Sequence, residues 1–446
     1  MAENRTNYII GSGVEGTGRN ITVQNGSARI RNASRGGSSK NATSKQSERK
    51  ARRESKRAGK IREPGIRVID GRVDPIFFIL VVVMLVYGLI MVFSASYIEG
   101  LTNYNDGYYF VKRQALAAVI GVIIMFFVSI FDYHILSNSK LVTFGFTVVF
   151  LLLCYTSLFG EENAGARRWI KITESLSFQT SEVMKPVLIV VTAFICVRIM
   201  EDPKRQHKGF LQKYFWLLVV LALVGVNMVL QRHISGLLIM CALWLCVVLL
   251  SGVPYKDIAV MLGIVVVGGL VVLLGYSILS GGGLDYISTR LESMSTTESG
   301  SIDDDNWQTM QSLIAMGSGG WFGLGFGESR QKYAWLPEAQ NDFIISVIVE
   351  ELGYVGGLVV VILFGLFIYR GFRIAKTAPD KFGSLITAGI TFHIGLQAIL
   401  NIGVACNAFP NTGVSLPFFS YGGSALMIQL VEMGVVLAVS RQCENI

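Results

Sequence analysis

Charge is scarce in this sequence: Asp, Glu, Lys and Arg supply 16% of its 446 residues, against 52% hydrophobic residues and a mean hydropathy of +0.51. That balance excludes a water-soluble fold of this size and makes the chain a polytopic membrane protein. Cysteine is scarce as well. The six present, Cys154, Cys196, Cys241, Cys246, Cys406 and Cys443, mostly lie in apolar runs and form no CxxC or Cys/His spacing. Buried free thiols are their expected state, and no metal centre can be read from them. The N-terminus lacks the apolar core of a cleaved signal peptide. GSGVEG, at Gly11 to Gly16, has dinucleotide-binding glycine spacing, but no βαβ unit follows it. No organic cofactor is therefore expected.

What the chain does have is about ten apolar runs near the ~20 residues needed to cross ~30 Å of hydrocarbon. They begin near Ile76, Ala115, Leu141, Val183, Tyr214, Ile234, Ile258, Phe343, Phe382 and Ala425. The expected fold is an all-α bundle of about ten transmembrane helices, with a large extracytoplasmic loop at about 280–340 between helices 7 and 8. The formal net charge is +8, but residues 1 to 73 hold 17 Lys/Arg against 6 Asp/Glu and carry +11, leaving about −3 elsewhere. This is not a nucleic-acid binder. Residues 1–72 read as a basic, disordered tail and 73–446 as the membrane domain. By the positive-inside rule the tail is cytoplasmic, and ten spans return the C-terminus to the same side.

Three outward loops are unusual for plain spacers. Residues Gly160 to Glu182 contain AGARRWIKI and then FQTSEVMK. The stretch Ser280 to about Gln340 has a polar first half and an aromatic, glycine-rich second half, which suits a segment lying in the interface or folded back toward the bundle. Cys406 to Ser424 carries two prolines and paired glycines, poor material for a continuous helix. Between the last two, NDFIISVIVEELG places Asp342 at the mouth of an apolar run and Glu350 and Glu351 inside it. Carboxylates in hydrocarbon are costly and mark a site by default. Glu350 and Glu351 also have a structural account: neutral carboxyls, or carboxylates bonded to the backbone of a broken helix. Glu182 and Lys185, three apart, share a helix face and suit either an anchoring ion pair or a substrate site. Arg167 and Arg168, followed by Trp169, suit interfacial snorkelling or a forked grip on a diphosphate.

Seven blocks carry a family likeness: FSAS (Phe93 to Ser96), GARRWI (Gly165 to Ile170), FQTSEVMK (Phe178 to Lys185), QS-x-IAMGSGG (Gln311 to Gly320), QK-x3-LPEAQNDFI (Gln331 to Ile344), EELG (Glu350 to Gly353) and P-x2-G-x3-PFFSYGGS (Pro410 to Ser424). In this order they resemble the SEDS proteins, the shape, elongation, division and sporulation family of FtsW, RodA and SpoVE. The resemblance covers all but the tail. It implies a ten-helix protein of the bacterial inner membrane that polymerises lipid II into peptidoglycan strands with a class B penicillin-binding protein. It also implies that Asp342 is catalytic and that Trp169, Glu182, Lys185 and the Ser420 to Ser424 loop line the same outward cavity, with Glu338 in the block that carries Asp342. Departures are Thr180 for a usual proline, Gln340 and Asn341 where His-Thr is common, and Arg232 and His233 where an acidic turn is usual.

The chemistry suits these residue types. A sugar hydroxyl is a weak nucleophile at neutral pH, so one carboxylate acting as general base would contribute ~10²- to 10⁴-fold, and Asp342 is assigned that role. Diphosphate leaves readily once its charge is met. Arg167, Arg168, Lys185, Lys332 or a divalent cation, Mg²⁺ or Mn²⁺, would meet it. Two alternatives stay open at this point: a lipid II flippase, and a non-enzymatic scaffold of the wall-synthesis complex. Division, elongation and sporulation roles are not separable.

Overall fold

The computed structural model describes residues 71–163, 166–173, 176–203, 207–280, 304–333 and 335–443. The basic tail expected over 1–72, save its last two residues, and nearly all of the polar first half of the long loop lie outside the described residues. The described helices in chain order are α1 Pro75–Tyr104, α2 Tyr109–Ile130, α3 Ser139–Phe159, α4 Thr180–Glu201, α5 Phe210–Leu230, α6 Ile234–Ser251, α7 Tyr255–Ser280, α8 Asp304–Gly319, α9 Ile344–Thr377, α10 Lys381–Ala405 and α11 Gly423–Ser440. All but α8 are long and apolar enough to cross a membrane, ten in number among the described residues. Each begins within a few residues of an apolar run in the sequence, because a helix is the form in which such a run satisfies its own backbone. The core lies around α10 and α11, whose spans are 72% and 67% buried, whereas α7 at 11% is peripheral.

One end of the bundle is tied by a buried ion pair. Asp74 caps α1 through the Phe77 N–H (3.0 Å) and accepts from Arg370 Nε of α9 (2.7 Å), while its own N–H donates to Ser440 Oγ of α11 (3.2 Å). Elsewhere small residues set the spacing: a Cβ on Gly434 of α11 would lie 2.8 Å from the Met125 carbonyl oxygen of α2. Backbones this close are typical of helix contacts in membranes.

The α9 helix is broken at Gly353, whose φ of 72° and ψ of −175° are non-helical. The segment after α8 folds back to cover the break. Leu324 and Gly325 donate N–H bonds to the carbonyls of Glu350 and Glu351 (2.9 and 3.0 Å), and Tyr354 and Val355 donate to those of Gly320 and Trp321 (2.9 and 3.3 Å). Exchanged bonds of this kind allow a helix to break at membrane depth. The glycine-rich half of the long loop is thus folded toward the bundle, as its composition suggests. A Cβ on Gly323 or Gly353 would come within 2.3 Å of a carbonyl oxygen of the other strand of this exchange.

One feature is not announced by hydropathy. Between α3 and α4 the chain forms an antiparallel ribbon of β1 Glu161–Asn163, β2 Ala166–Thr173 and β3 Leu176–Gln179, with Trp169 opposite Gln179. The molecule is otherwise helical in its described secondary structure.

Candidate functional site

Asp342 lies in a turn two residues before α9, and its backbone is held from two neighbouring elements. Asn401 Nδ2 of α10 donates to the Asp342 carbonyl (2.7 Å) and to that of Val414 (2.8 Å). Ser420 Oγ donates to the Asn341 carbonyl (2.5 Å) and accepts from the Leu416 N–H (2.7 Å), and the Tyr421 N–H reaches the Gln340 carbonyl (2.9 Å). Gln114 of α2 then fixes the same loop, donating to the Ser420 carbonyl and accepting from the Gly422 N–H, both at 3.1 Å. Phe343 beside it is fully buried. The position of Asp342 is therefore set by its neighbours, not by its own side chain.

Its carboxylate accepts no hydrogen bond from any described residue. Burial pushes its pKa up to about 6, the charge of Glu338 adds to the rise, and the Arg168 guanidinium opposes it. Glu338 is itself hydrogen-bonded to Asn341 Nδ2. Arg168 is delivered by β2, in which successive side chains point to opposite faces, so Arg167 and Trp169 project from the other face of the ribbon. A point above Gly413, where a Cβ would sit, is 3.4 Å from Asp342 Oδ2 and 4.0 Å from Arg168 Nη1. Gly413 itself has a φ of 61°, a conformation that favours glycine. Loops distant in sequence thus bring one carboxylate and one guanidinium to a common point.

Other sequence-predicted residues take separate places. Glu182 and Lys185 form the expected pair at 2.6 Å, buried in the first turn of α4 directly after the ribbon, with His393 and His233 acting on Glu182 electrostatically. Ser424, in the first turn of α11, is buried. Lys332 is not brought to Asp342. It pairs with Glu351 at 3.0 Å and donates to the Gly327 carbonyl at 2.5 Å, because the loop that carries it covers the break in α9. Glu351 also accepts from Ser94 Oγ at 2.7 and 2.6 Å. Glu350 accepts from Ser329 Oγ (2.5 Å) and the Arg330 N–H (3.0 Å). Both glutamates are satisfied inside the broken helix, the structural account that the sequence leaves open.

Two positioning residues were missed by motif reasoning: Gln114 and Asn401. Each is a polar residue in or at the end of an apolar run, which is the signal that could have found them. Among the described residues no group of three His, Cys, Asp or Glu side chains is placed to hold a metal ion by protein alone.

Comparison with known proteins bears on the family and the fold. A family profile described as cell cycle protein, FtsW/RodA/SpoVE, matches residues 75–445. The chain is 34% identical over 375 residues to a probable peptidoglycan glycosyltransferase FtsW of Geobacter sp. (strain M18), covering 84% of this chain and 98% of that one. It is 35% identical over 371 residues to stage V sporulation protein E of Bacillus subtilis (strain 168), covering 82% and 97%. Among solved structures, a chain of a peptidoglycan synthase complex that coordinates polymerization and crosslinking matches with a TM-score of 0.64 at 24% identity, over 84% of this chain and 99% of that one. The rod shape determining protein RodA of Thermus thermophilus matches at 0.58 and 24%, over 84% and 98%. At these identities the two structures show the shared fold.

Proposed function

Since the chain belongs to the SEDS family of FtsW, RodA and SpoVE and is a peptidoglycan glycosyltransferase, we propose that it polymerises lipid II by inversion at the donor sugar, with Asp342 as general base. The observation that supports this is a carboxylate held by its backbone, raised toward pH 6, and given no hydrogen-bond donor by the described residues. A base near neutrality with a vacant acceptor is what an incoming hydroxyl requires.

The acceptor's GlcNAc 4-hydroxyl attacks the anomeric carbon of the donor. Its proton passes to a carboxylate oxygen of Asp342, the new β-1,4 C–O bond forms, and the bond to the α-linked diphosphate breaks. The prenyl diphosphate leaves with both electrons of that bond. Arg168, beside Asp342, is the cation placed for its charge, whereas Arg167 projects from the opposite face of the ribbon. Lys185 contributes less than its charge suggests, because Glu182 already neutralises it.

Glu338 and Asp342, near enough to interact electrostatically, together with a substrate diphosphate, make the donor set that Mg²⁺ or Mn²⁺ takes. When bound there, the ion would neutralise diphosphate charge. The tail and C-terminus lie in the cytoplasm and the Asp342 end faces outward across the bacterial inner membrane, a reading supported by the basic tail. A class B penicillin-binding protein is the partner, supported by the likeness to a chain of a complex that couples polymerization to crosslinking.

Reconstitution with labelled lipid II, with and without that partner, tests the proposal. Polymer that disappears in Asp342→Asn while folding and partner binding persist supports it. Lipid II crossing the bilayer without polymer formation would replace it with a flippase.

A further inference from the structure

A stack of side chains stands at the outer corner between α1 and α2 that the reaction above does not use. Tyr104, the last residue of α1, and Tyr109, the first of α2, lie with ring centroids 3.7 Å apart and planes 7° from parallel. Arg113 Cζ lies over the Tyr109 ring at 4.1 Å from its centroid. Two groups this close cannot share one face of a ring, so Tyr109 is sandwiched, in the order Arg113, Tyr109, Tyr104. The outer face of Tyr104 ends the stack, and the residue is 49% exposed.

The stack is rigid and continuous with the catalytic segment. The turn between the helices is closed by the Asp106 N–H on the Gly100 carbonyl (3.2 Å) and the Tyr109 N–H on the Asp106 carbonyl (3.0 Å), with Asn105 at φ 53°. Tyr421 packs edge-on against Phe110, the neighbour of Tyr109, at 5.0 Å, and the Arg113 charge acts on its hydroxyl. Its N–H holds Gln340, two residues from Asp342. The height of the stack also matters. At a rise of ~1.5 Å per residue α1 is ~45 Å long, against ~30 Å of hydrocarbon, so its last turns stand beyond the acyl chains.

We propose that the open face of Tyr104 is a subsite for a pyranose ring of the glycan strand, seated beyond the bond-forming position. A pyranose has a face of C–H groups that packs on the electron-rich face of an aromatic ring, at low entropic cost because the ring is already held. Tyrosines that serve only as a membrane belt sit at headgroup level. This one is held in a stack next to Phe110, on which Tyr421 of the loop that positions the base packs. The proposal rests on the polymerase reading: a strand growing from Asp342 and leaving the membrane must pass one side of the site, and this side offers a preformed aromatic face.

The test uses the full-length protein with its penicillin-binding partner. Tyr104→Trp keeps the flat face and makes it fluorescent, so the indole emission, read as a difference from the parent protein, should shift on titration with chitotetraose at millimolar concentration. With labelled lipid II, Tyr104→Ala should shorten the glycan strands severalfold, and Tyr104→Trp should restore their length. Unchanged strand length in both Tyr104→Ala and Tyr109→Ala overturns the subsite. So does indole emission that responds to lipid vesicles but not to the oligosaccharide. The titration needs no turnover, so it decides the subsite independently of whether the complex polymerises.

Discussion

Asp342 and the Glu350–Glu351 pair come from one short stretch of sequence and meet opposite fates. The two glutamates lie inside a broken helix, where Ser329, the Arg330 N–H, Ser94 and Lys332 supply donors for their oxygens. Asp342 lies at the helix mouth, where the donors go to its backbone and no described residue donates to its carboxylate. A carboxylate that is fully paired holds structure together, and one that is positioned but unpaired can accept a proton. The difference teaches that an acidic residue in an apolar run has two uses, and that its hydrogen-bond partners separate them.

Charge removal should therefore act in opposite ways at the two places. The largest effect is expected from Asp342→Asn, with polymerisation down by ~10²- to 10⁴-fold, read from the band pattern of labelled glycan. A residual rate within about tenfold of the parent would break the comparison. This variant should not lose stability at pH 8. A carboxyl raised to about 6 favours the folded state fully below its unfolded pKa and loses that benefit as pH rises through 6, so an amide there is neutral or stabilising in a thermal melt.

Lys332→Met should do the reverse. It strands Glu351 in a buried site with Ser94 as its remaining partner, at a cost of ~3–5 kcal/mol. The double variant Lys332→Met/Glu351→Leu should recover most of the melting temperature. If it melts no higher than the single variant, the pair is not coupled. Next in size is Gly353→Ala, which forces a side chain into a glycine-only conformation and against the Trp321 carbonyl oxygen 2.3 Å away. A loss of at least ~1–3 kcal/mol is expected in denaturant titration.

The smallest effects sharpen the electrostatics. With Asp342 as base, kcat/KM should rise with pH through about 6. Glu338→Gln removes a charge that lifts the pKa and should move that limb to lower pH. Arg168→Gln removes a charge that depresses it and should move the limb to higher pH, each by a fraction of a unit. Limbs that stay fixed in both variants would mean that another group limits the rate.

Much of this protein is visible before folding is considered. The spans starting near Ile76, Ala115 and Ile234 are compositional, because burial in hydrocarbon selects for apolar residues one by one and a helix needs only local bonds. The family blocks likewise point to Asp342, Arg168, Glu182 and Lys185. The ribbon of β2 and β3 is not visible in this way, since its residues show no clean alternation and its pairing depends on α3 and α4 holding its ends together. Lys332 is misplaced by sequence reasoning for a related reason. A basic residue near an acidic motif has several carboxylates within reach, and only the fold-back after α8 selects Glu351.

The sequence by itself determined the membrane class, the number of spans and the family, all of which follow from local composition and short motifs. Tertiary structure decided which carboxylate is bare and which are sealed. Hydrogen bonds from Asn401, Ser420, Ser94 and Lys332 cross long sequence separations, and a donor's partner is chosen by where the chain returns, not by what lies beside it.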